Sequence, residues 1–461
     1  MSSKTTSSRI HAQSNTGKIK VAIVGAGISG LAVANGLLKD PAGRFDIQIY
    51  ERDTISFNSE RGGYQLRVSG NGLTALRTVS DGELWNLLRQ TWAGDEARAP
   101  TLVDPKDFNI YLRLANLKLY PSSRPVPRHD LRHALLQPLL SQGRVQLSHQ
   151  LTHFEYLTEG ERGVMLHFKD QESQYADILI AADGSNSQIN RQVGLNNKVK
   201  LENWTLIQSR GVIDQSTRDK LPRSLLESGS VLFLGGSKTT GFVSVYDPKP
   251  ELGTGGTESY TLFWSILVPS EYGKLMMAKA GDNVQDIMPL LVDYVRKQGY
   301  GESLPFIMQS ATEHLRTGLL TSSVKPTEDW RRGVASSARV ILLGDAVHPM
   351  TPGRGMGANQ ALVDAAKLVR LFHSANFEQG TPSNEELAAM VREFEAEMYK
   401  RAFKMVKDSE AVTDLDLTKV SGKAVITLVA TVLTVIGWGV SFLEIVGLKT
   451  PEKLDYLSHS G

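Results

Sequence analysis

The chain contains no cysteine. That absence excludes disulfides, cysteine nucleophiles and thiolate metal sites together, and it fits a reducing compartment. Charge of one sign is also lacking, since 51 Lys and Arg face 49 Asp and Glu for a net +2. No basic block interleaved with aromatics marks a nucleic-acid partner. No internal repeat and no His/Asp cluster is visible, so no metal site is expected. Residues 1–18, rich in Ser and Thr, lack the apolar core of a signal peptide and read as a disordered tail. The length of 461 residues exceeds what one hydrophobic core usually serves, so two domains are expected.

Long uncharged runs are absent but for one. Val425–Leu443 carries no charge over nineteen residues, with Lys419 and Lys423 before it and Glu444 and Lys449 after. That length just spans a bilayer as a helix, and the preceding lysines favour a cytosolic body. The alternative is a buried C-terminal helix or a dimer interface.

What the chain does have is glycine in three ordered places. In VAIVGAGISGL, Val21–Val24 reads as a buried parallel strand, and Gly25, Gly27 and Gly30 open a helix near Ile28. The first glycine permits a tight turn, the second lets a pyrophosphate approach the backbone, and the third lets helix and strand pack closely. Glu51 ends the next strand, Asp46–Tyr50, where a carboxylate can accept ribose hydroxyls. Further on, Asp183-Gly184 follows the strand Asp177–Ala181. That pair suits contact near a pyrophosphate, or is a plain turn. Last, Asp345 ends the strand Arg339–Leu343, and Pro352, Gly353, Gly355 and Gly357 lead into a helix that runs through Ala358 to Phe372. Small residues and a proline there leave backbone N–H groups free to face a ligand.

Between the motifs, Pro121–Pro127 reads as a linker, His129–Leu140 as a helix, and Val145–Leu151 and Gly163–Lys169 as strands. From about Thr205 to Pro269 longer strands with polar loops predict a sheet-built insert, with one of them over Thr205–Val212. Asp282–Gln298 predicts an amphipathic helix, and residues 383–408 a charged one.

Over Ile19–Phe372 the chain resembles the FAD-dependent aromatic hydroxylases, the single-component flavin monooxygenases built like p-hydroxybenzoate hydroxylase. The resemblance rests on GAGISG (25–30), ADG (182–184) and GDAVHPMTPGRGMG (344–357). PVPRHDLRHALL (125–136) matches the family's Arg-x-x-Leu segment, which makes Arg128 the flavin-side arginine, while Arg132 need not face the cofactor. RGGYQL (61–66), with Gly63, sits where the family has its mobile flavin-lining loop. The Gly62–Gly72 pattern is similar to that of tetracycline-inactivating enzymes and fungal or bacterial secondary-metabolite monooxygenases. Two positions depart: Ala181 stands where the family has glycine, and Asn190 where it has arginine.

The resemblance implies an α/β fold: a Rossmann-like FAD-binding domain of the GR2 type, an inserted sheet-based substrate domain and a C-terminal helical region. The FAD-binding domain would comprise 19–95, 120–200 and 335–375, and the substrate domain 96–119 and 201–334. Helices would fill 376–423, and 424–448 would be the apolar segment. The implied reaction uses NADPH or NADH to reduce FAD. O2 then gives a hydroperoxide at the flavin C4a carbon, which hydroxylates or epoxidises a hydrophobic small molecule of secondary metabolism. An alternative keeps the flavin without oxygen transfer, as in a desaturase, an oxidase or a prenyl reductase. Arg210 and Tyr246 are the substrate-side candidates from the insert, and His348 reads as a supporting residue. The apolar segment implies membrane association.

Overall fold

The computed structural model describes residues 17–55, 64–92, 100–113, 123–157, 162–235, 239–246, 259–327, 330–331, 337–377 and 382–413. Gly63 and the Val425–Leu443 segment lie outside the described residues.

The apolar runs before the three motifs become strands of one parallel sheet, the first two of them inner strands. It contains β1 (Ile19–Val24), β2 (Phe45–Tyr50), β7 (Val145–Gln146), β11 (Ile178–Ala181) and β17 (Val340–Leu342), in the order β17-β11-β1-β2-β7. Every neighbouring pair is parallel. β11 and β17 are buried throughout, as unalternating apolar strands covered on both faces must be. Among the described residues, the helices α1 (Ile28–Leu38), α2 (Gly70–Val79), α3 (Gly82–Gln90), α4 (Arg128–Ser141) and α11 (Gly357–Ser374) bury residues in the core of this body. α1 packs against both α4 and α11. A Cβ on Gly36 would stand 2.6 Å from a Val369 methyl, so glycine sets the α1–α11 spacing.

Two smaller sheets flank this body. β8 (Leu151–Tyr156), β9 (Val164–Phe168) and β10 (Gln171–Ala176) form an antiparallel meander, and the short α5 (Gln188–Gln192) packs on β8. β3 (Gln65–Val68) pairs with β6 (Arg124–Pro127). The Pro121–Pro127 linker expectation therefore fails over its second half. A two-stranded ribbon has only edges, so Pro125 and Pro127 can sit in it without breaking a ladder.

The insert is a seven-stranded sheet in the order β16-β12-β15-β14-β13-β4-β5. Its strands are β4 (Thr101–Val103), β5 (Ile110–Arg113), β12 (Lys198–Asp214), β13 (Ser230–Leu234), β14 (Thr240–Tyr246), β15 (Ser259–Pro269) and β16 (Arg316–Ser323). α6 (Gln215–Arg218) and α7 (Arg223–Ser228) connect β12 to β13. Ile207, Val243, Trp264 and Ile266 on one face are buried with Leu291, Val295 and Ile307 of the helices α8 (Ser270–Ala280), α9 (Ile287–Lys297) and α10 (Ser303–Ser310). β12 is far longer than the expected Thr205–Val212, because it pairs with β15 along one edge and β16 along the other. The helix expected over Asp282–Gln298 begins late, with a 3-10 turn at Val284–Asp286 capped by Asn283 and α9 following. Pro289 lies in the first turn of α9, where its missing N–H leaves no bond unmade.

A final helix, α12 (Asn384–Thr413), ties the body together through one buried carboxylate. Asp364 of α11 accepts from the Gly344 N–H at 2.9 Å and pairs with His348 Nε2 and Arg401 Nη2, both at 2.6 Å. Desolvation alone would raise its pKa. The His348 and Arg401 charges and hydrogen bonds overcome that and bring it down to about 2. Its contribution is therefore present above the ordinary carboxylate range and is lost as pH falls from about 4 towards 2. Among the described residues no helix is long and apolar enough to cross a membrane. Removing the charge with Asp364→Asn is predicted to cost roughly 1–3 kcal/mol, because His348, the Gly344 N–H and Arg401 lose a charged acceptor while Arg401 keeps Glu397. Urea unfolding reads this directly, and a midpoint equal to wild type would show that Asp364 is not the tie.

Candidate functional site

All three glycine motifs and Glu51 emerge at the carboxyl ends of the parallel strands, where open α/β sheets bind their ligands. Gly25 follows β1, Glu51 follows β2, Asp183 follows β11 by one residue, and Asp345 follows β17 by two. Backbone bonds hold these ends level: Gly25 N–H to the Tyr50 carbonyl at 2.9 Å, Ala182 N–H to Val24 at 2.9 Å, and Leu343 N–H to Ala181 at 3.2 Å.

The three glycines of the first turn are required for three different reasons. Gly25 has φ +105, and a Cβ on it would run into the Ala182 carbonyl. A Cβ on Gly30 would collide with the Gly25 carbonyl and crowd Ala182 and Ile23. Gly27 has φ −80, and a Cβ there would meet nothing within 4 Å. Neither backbone nor packing demands glycine at 27, so its smallness serves whatever approaches the turn from outside. It is the N-cap of α1 and offers no side-chain bond to the helix's first N–H groups. This cradle fits a pyrophosphate.

Around it stand the acids. Glu51 is buried, its Oε2 accepting from the Ala26 N–H at 2.8 Å and its Oε1 from the Asp53 N–H at 3.1 Å. The carboxylate therefore braces the turn. One oxygen of Asp183 accepts from the Gln188 N–H at 2.9 Å at the start of α5, while the other is buried with no hydrogen-bond partner. Desolvation raises its pKa, against the pull of Ser187 and Lys198. Asp345 lies in a 3-10 turn, Gly344–Ala346, rather than at a strand end. Solvent reaches its carboxylate, yet protein surrounds it at longer range, as on the floor of a recess. That desolvation raises its pKa, opposed by the charges of His348, Arg128 and Lys198. Among the described residues it has no hydrogen-bond partner.

Gly355 sits at φ +63 after the 3-10 turn Pro352–Arg354, a left-handed position that favours glycine. A Cβ on Gly357 would lie 3.9 Å from Asp345 Oδ1, so the first turn of α11 faces that acid. No side chain caps this helix start, which begins Gly357-Ala358. The bare N–H groups and the helix dipole favour negative charge there. Arg128 opens α4, its N–H bonded to the Tyr64 carbonyl at 3.2 Å and its charge within reach of Asp345. Arg132, which on the sequence reading need not face the cofactor, donates from Nε to the Ala26 carbonyl at 2.8 Å. One turn further along the same helix than Arg128, it bonds the glycine turn itself.

Sequence reasoning missed three further supports. Lys198 Nζ donates to the Gly184 and Ser185 carbonyls at 3.0 and 3.1 Å, between Asp183 and Asp345. Desolvation brings its pKa down to about 8 even with both acids near. Asn359 of α11 receives the Ser69 N–H at 2.8 Å and donates to the Arg67 carbonyl at 2.9 Å, clamping the segment after Tyr64 to the helix. Asn190 is buried and donates to Asn197 at 2.9 Å and to the Ala346 carbonyl at 2.8 Å. His348, fully buried against Asp364, holds up this arrangement from behind.

The insert's second face carries the substrate-side candidates. Register aligns Arg210 with Phe263 and Ser244, Gln208 with Ser265 and Phe242, and Thr261 with Tyr246. These side chains alternate with the core residues Trp264 and Val243, so they point away from α8–α10. The Tyr64 ring lies 5.8 Å from that of Phe263, which brings the face against the cofactor body. Tyr246 is buried, its pKa pushed up to about 12 by desolvation, with Arg210 and Asp130 both within electrostatic reach. Arg210 and Tyr246, chosen separately from the sequence, are thus neighbours, and Asp130 lies two residues from Arg128.

Residues 308–401 match the model of an FAD binding domain family. The chain is 27% identical over 399 residues to 6-hydroxynicotinate 3-monooxygenase of Bordetella bronchiseptica, covering 82% of this chain and 90% of that one. It is 25% identical over 414 residues to the FAD-dependent monooxygenase thnD of Trichoderma harzianum, covering 86% and 93%. Over most of its length the chain is thus similar to FAD-dependent monooxygenases. Its fold is that of an FAD-containing monooxygenase from Photorhabdus luminescens, with a TM-score of 0.68 at 21% identity over 87% of this chain and all of that one. It is also that of tetracycline destructase Tet(51), with a TM-score of 0.57 at 18% identity over 91% and 97%. FAD is the group that the cradle, Asp345 and the α11 start fit.

The division of labour among the glycines makes a prediction. Gly27→Ala should lose FAD and melt at the temperature of FAD-free wild type, since its Cβ meets no protein atom. Gly30→Ala should lower the melting temperature before any effect on FAD. Flavin absorbance and thermal unfolding, measured on both variants, separate the two, and full FAD occupancy in Gly27→Ala would remove the pyrophosphate assignment.

Proposed function

We propose that this flavin monooxygenase, using NADPH or NADH as reductant and O2 as oxidant, hydroxylates or epoxidises a hydrophobic small molecule, in the manner of secondary-metabolite enzymes. The observation that carries the reading is the second face of the insert sheet. Phe242 and Phe263 offer aromatic contact, and Arg210 and Tyr246 offer one cationic and one hydroxyl group to a polar substituent. When bound, FAD supplies reductive activation of O2 and transfer of one oxygen atom. The chain's own residues do the rest. Gly25–Gly30 and Asp345 hold the cofactor, with Glu51 and Arg132 bracing the turn. The uncapped start of α11 favours negative charge beside it. Tyr64, Phe242 and Phe263 keep water from the reacting face. Arg210 orients the substrate, and Tyr246, un-ionised at neutral pH, donates or accepts a hydrogen bond there.

Incubation with labelled O2 and a panel of hydroxylated aromatic compounds tests the reading. Label should enter the product, and Arg210→Met should raise KM well above its effect on NADPH-driven flavin reduction without substrate. Substrate oxidation with no label incorporated would favour the desaturase or oxidase alternative.

Membrane association through 425–443 forms part of the proposal, supported by the length and lack of charge of that segment. Deleting Gly422–Gly461 should move the enzyme from the membrane fraction to the supernatant with its FAD retained. Loss of flavin in a truncated protein whose parent needs no detergent would instead make the segment part of the core.

A further inference from the structure

Away from the flavin site, the β8–β9 hairpin brings together three groups that the linear sequence keeps apart. His153 and His167 are direct cross-strand partners, and Glu155 follows two residues along β8 on the same face. The imidazoles stack with centroids 4.3 Å apart and planes 12° from parallel. Nε2 of His153 lies 3.7 Å from Glu155 Oε1, and Nε2 of His167 lies 3.8 Å from Glu155 Oε2. Both gaps are too long for hydrogen bonds. The ligand atoms of all three residues lie within 4.8 Å of one another, and among the described residues no other such group occurs.

The proton inventory explains why nothing in the protein bridges those gaps. The Thr152 hydroxyl has one proton, and it goes to the His167 carbonyl at 2.9 Å. Towards His153 Nδ1, 3.1 Å away, the same oxygen must then accept, so Nδ1 carries the hydrogen and Nε2 keeps its lone pair. His167 Nδ1 is held by the Ser173 hydroxyl at 2.8 Å, and its Nε2 is buried without a hydrogen-bond partner. With the Ser173 hydroxyl accepting the Nδ1 hydrogen of His167, two imidazole lone pairs and a carboxylate face one point. Each ring is fixed from behind by a hydroxyl, the arrangement that orients metal-bound histidines.

We propose that His153, Glu155 and His167 form a binding site for a borderline divalent cation of the zinc type, with water completing the coordination. Ligand atoms about 2.0–2.1 Å from zinc stand roughly 3.3 Å apart across a tetrahedral angle, so closure takes only small side-chain shifts. The sequence reading expected no metal because the His-x-Glu pair and the second histidine join only through strand register. Occupancy would cross-link β8 to β9. It would also stiffen the ground under α5, because Gln188 donates to the Thr152 carbonyl and Gln192 bonds to both backbone groups of Phe154.

Zinc titration of the full-length, untagged, FAD-loaded enzyme by calorimetry tests the site, with flavin absorbance and circular dichroism reporting the fold. One equivalent should bind saturably and raise the melting temperature. His153→Ala and His167→Ala should each abolish that equivalent, and Glu155→Gln should weaken it. Ser173→Ala should weaken it by about 10- to 100-fold, as for partners behind other metal ligands. His133→Ala, elsewhere on the surface, should leave binding unchanged. No saturable binding in wild type would overturn the proposal. So would equal binding in the folded His153→Ala/His167→Ala double variant.

Discussion

The approach of Ala182 to Gly25 is the constraint on which the cofactor site depends. Parallel strands β1 and β11 end at the same level, and the chain leaving β11 passes so close to the turn leaving β1 that a side chain at 25 would strike a backbone carbonyl. Backbone cannot yield as a flexible side chain can, so the contact fixes the relative height of two motifs more than 150 residues apart in the chain. Gly30 then holds α1 against the same spot. Once these strands are level, the N–H groups of α1, the Asp183 carboxylate and the turn bearing Asp345 must open into one space. Removing that constraint would leave three intact sequence motifs without a common site.

Much of this was legible because the chemistry is local. A strand, a glycine turn and a helix start occupy ten consecutive residues, and each glycine's duty follows from strand-to-helix geometry. What the sequence could not show depends on side chains that meet across the fold. The sequence leaves the facing of Arg132 open, and only the lie of α4 against the first turn brings it to the Ala26 carbonyl. Asp364 carries no motif, and its role appears only when Arg401 arrives from α12. Lys198 lies outside the strand expected at Thr205–Val212, and only the full length of β12 brings it to the Gly184 carbonyl. Arg210 and Tyr246 were chosen for residue type alone. Their adjacency comes from β15, which stands between their strands and sets the register of each.

The two departures from the family pattern have a structural account that involves the same region. Ala181 is fully buried between Val24 and Leu342 in the parallel sheet, so its methyl group fills core space and does not face the cofactor. Asn190, where the family has arginine, is enclosed with Asn197. Their amides bond to each other and to the Ala346, Val347 and Val324 carbonyls. A neutral amide suits that position, because it satisfies several buried carbonyls without bringing a charge out of water. The turn that presents Asp345 is held by those bonds on one side and by Asp364 on the other. The cation in this neighbourhood is Lys198, which reaches the loop after Asp183 from the insert's longest strand. Two carboxylates with raised pKa values can share the recess because that ammonium stands between them. Its own pKa, brought down to about 8, sets the upper end of the pH range over which the arrangement keeps its charge balance. The substrate sheet thus contributes to the cofactor site electrostatically as well as by walling it, and the two bodies cannot be tuned independently.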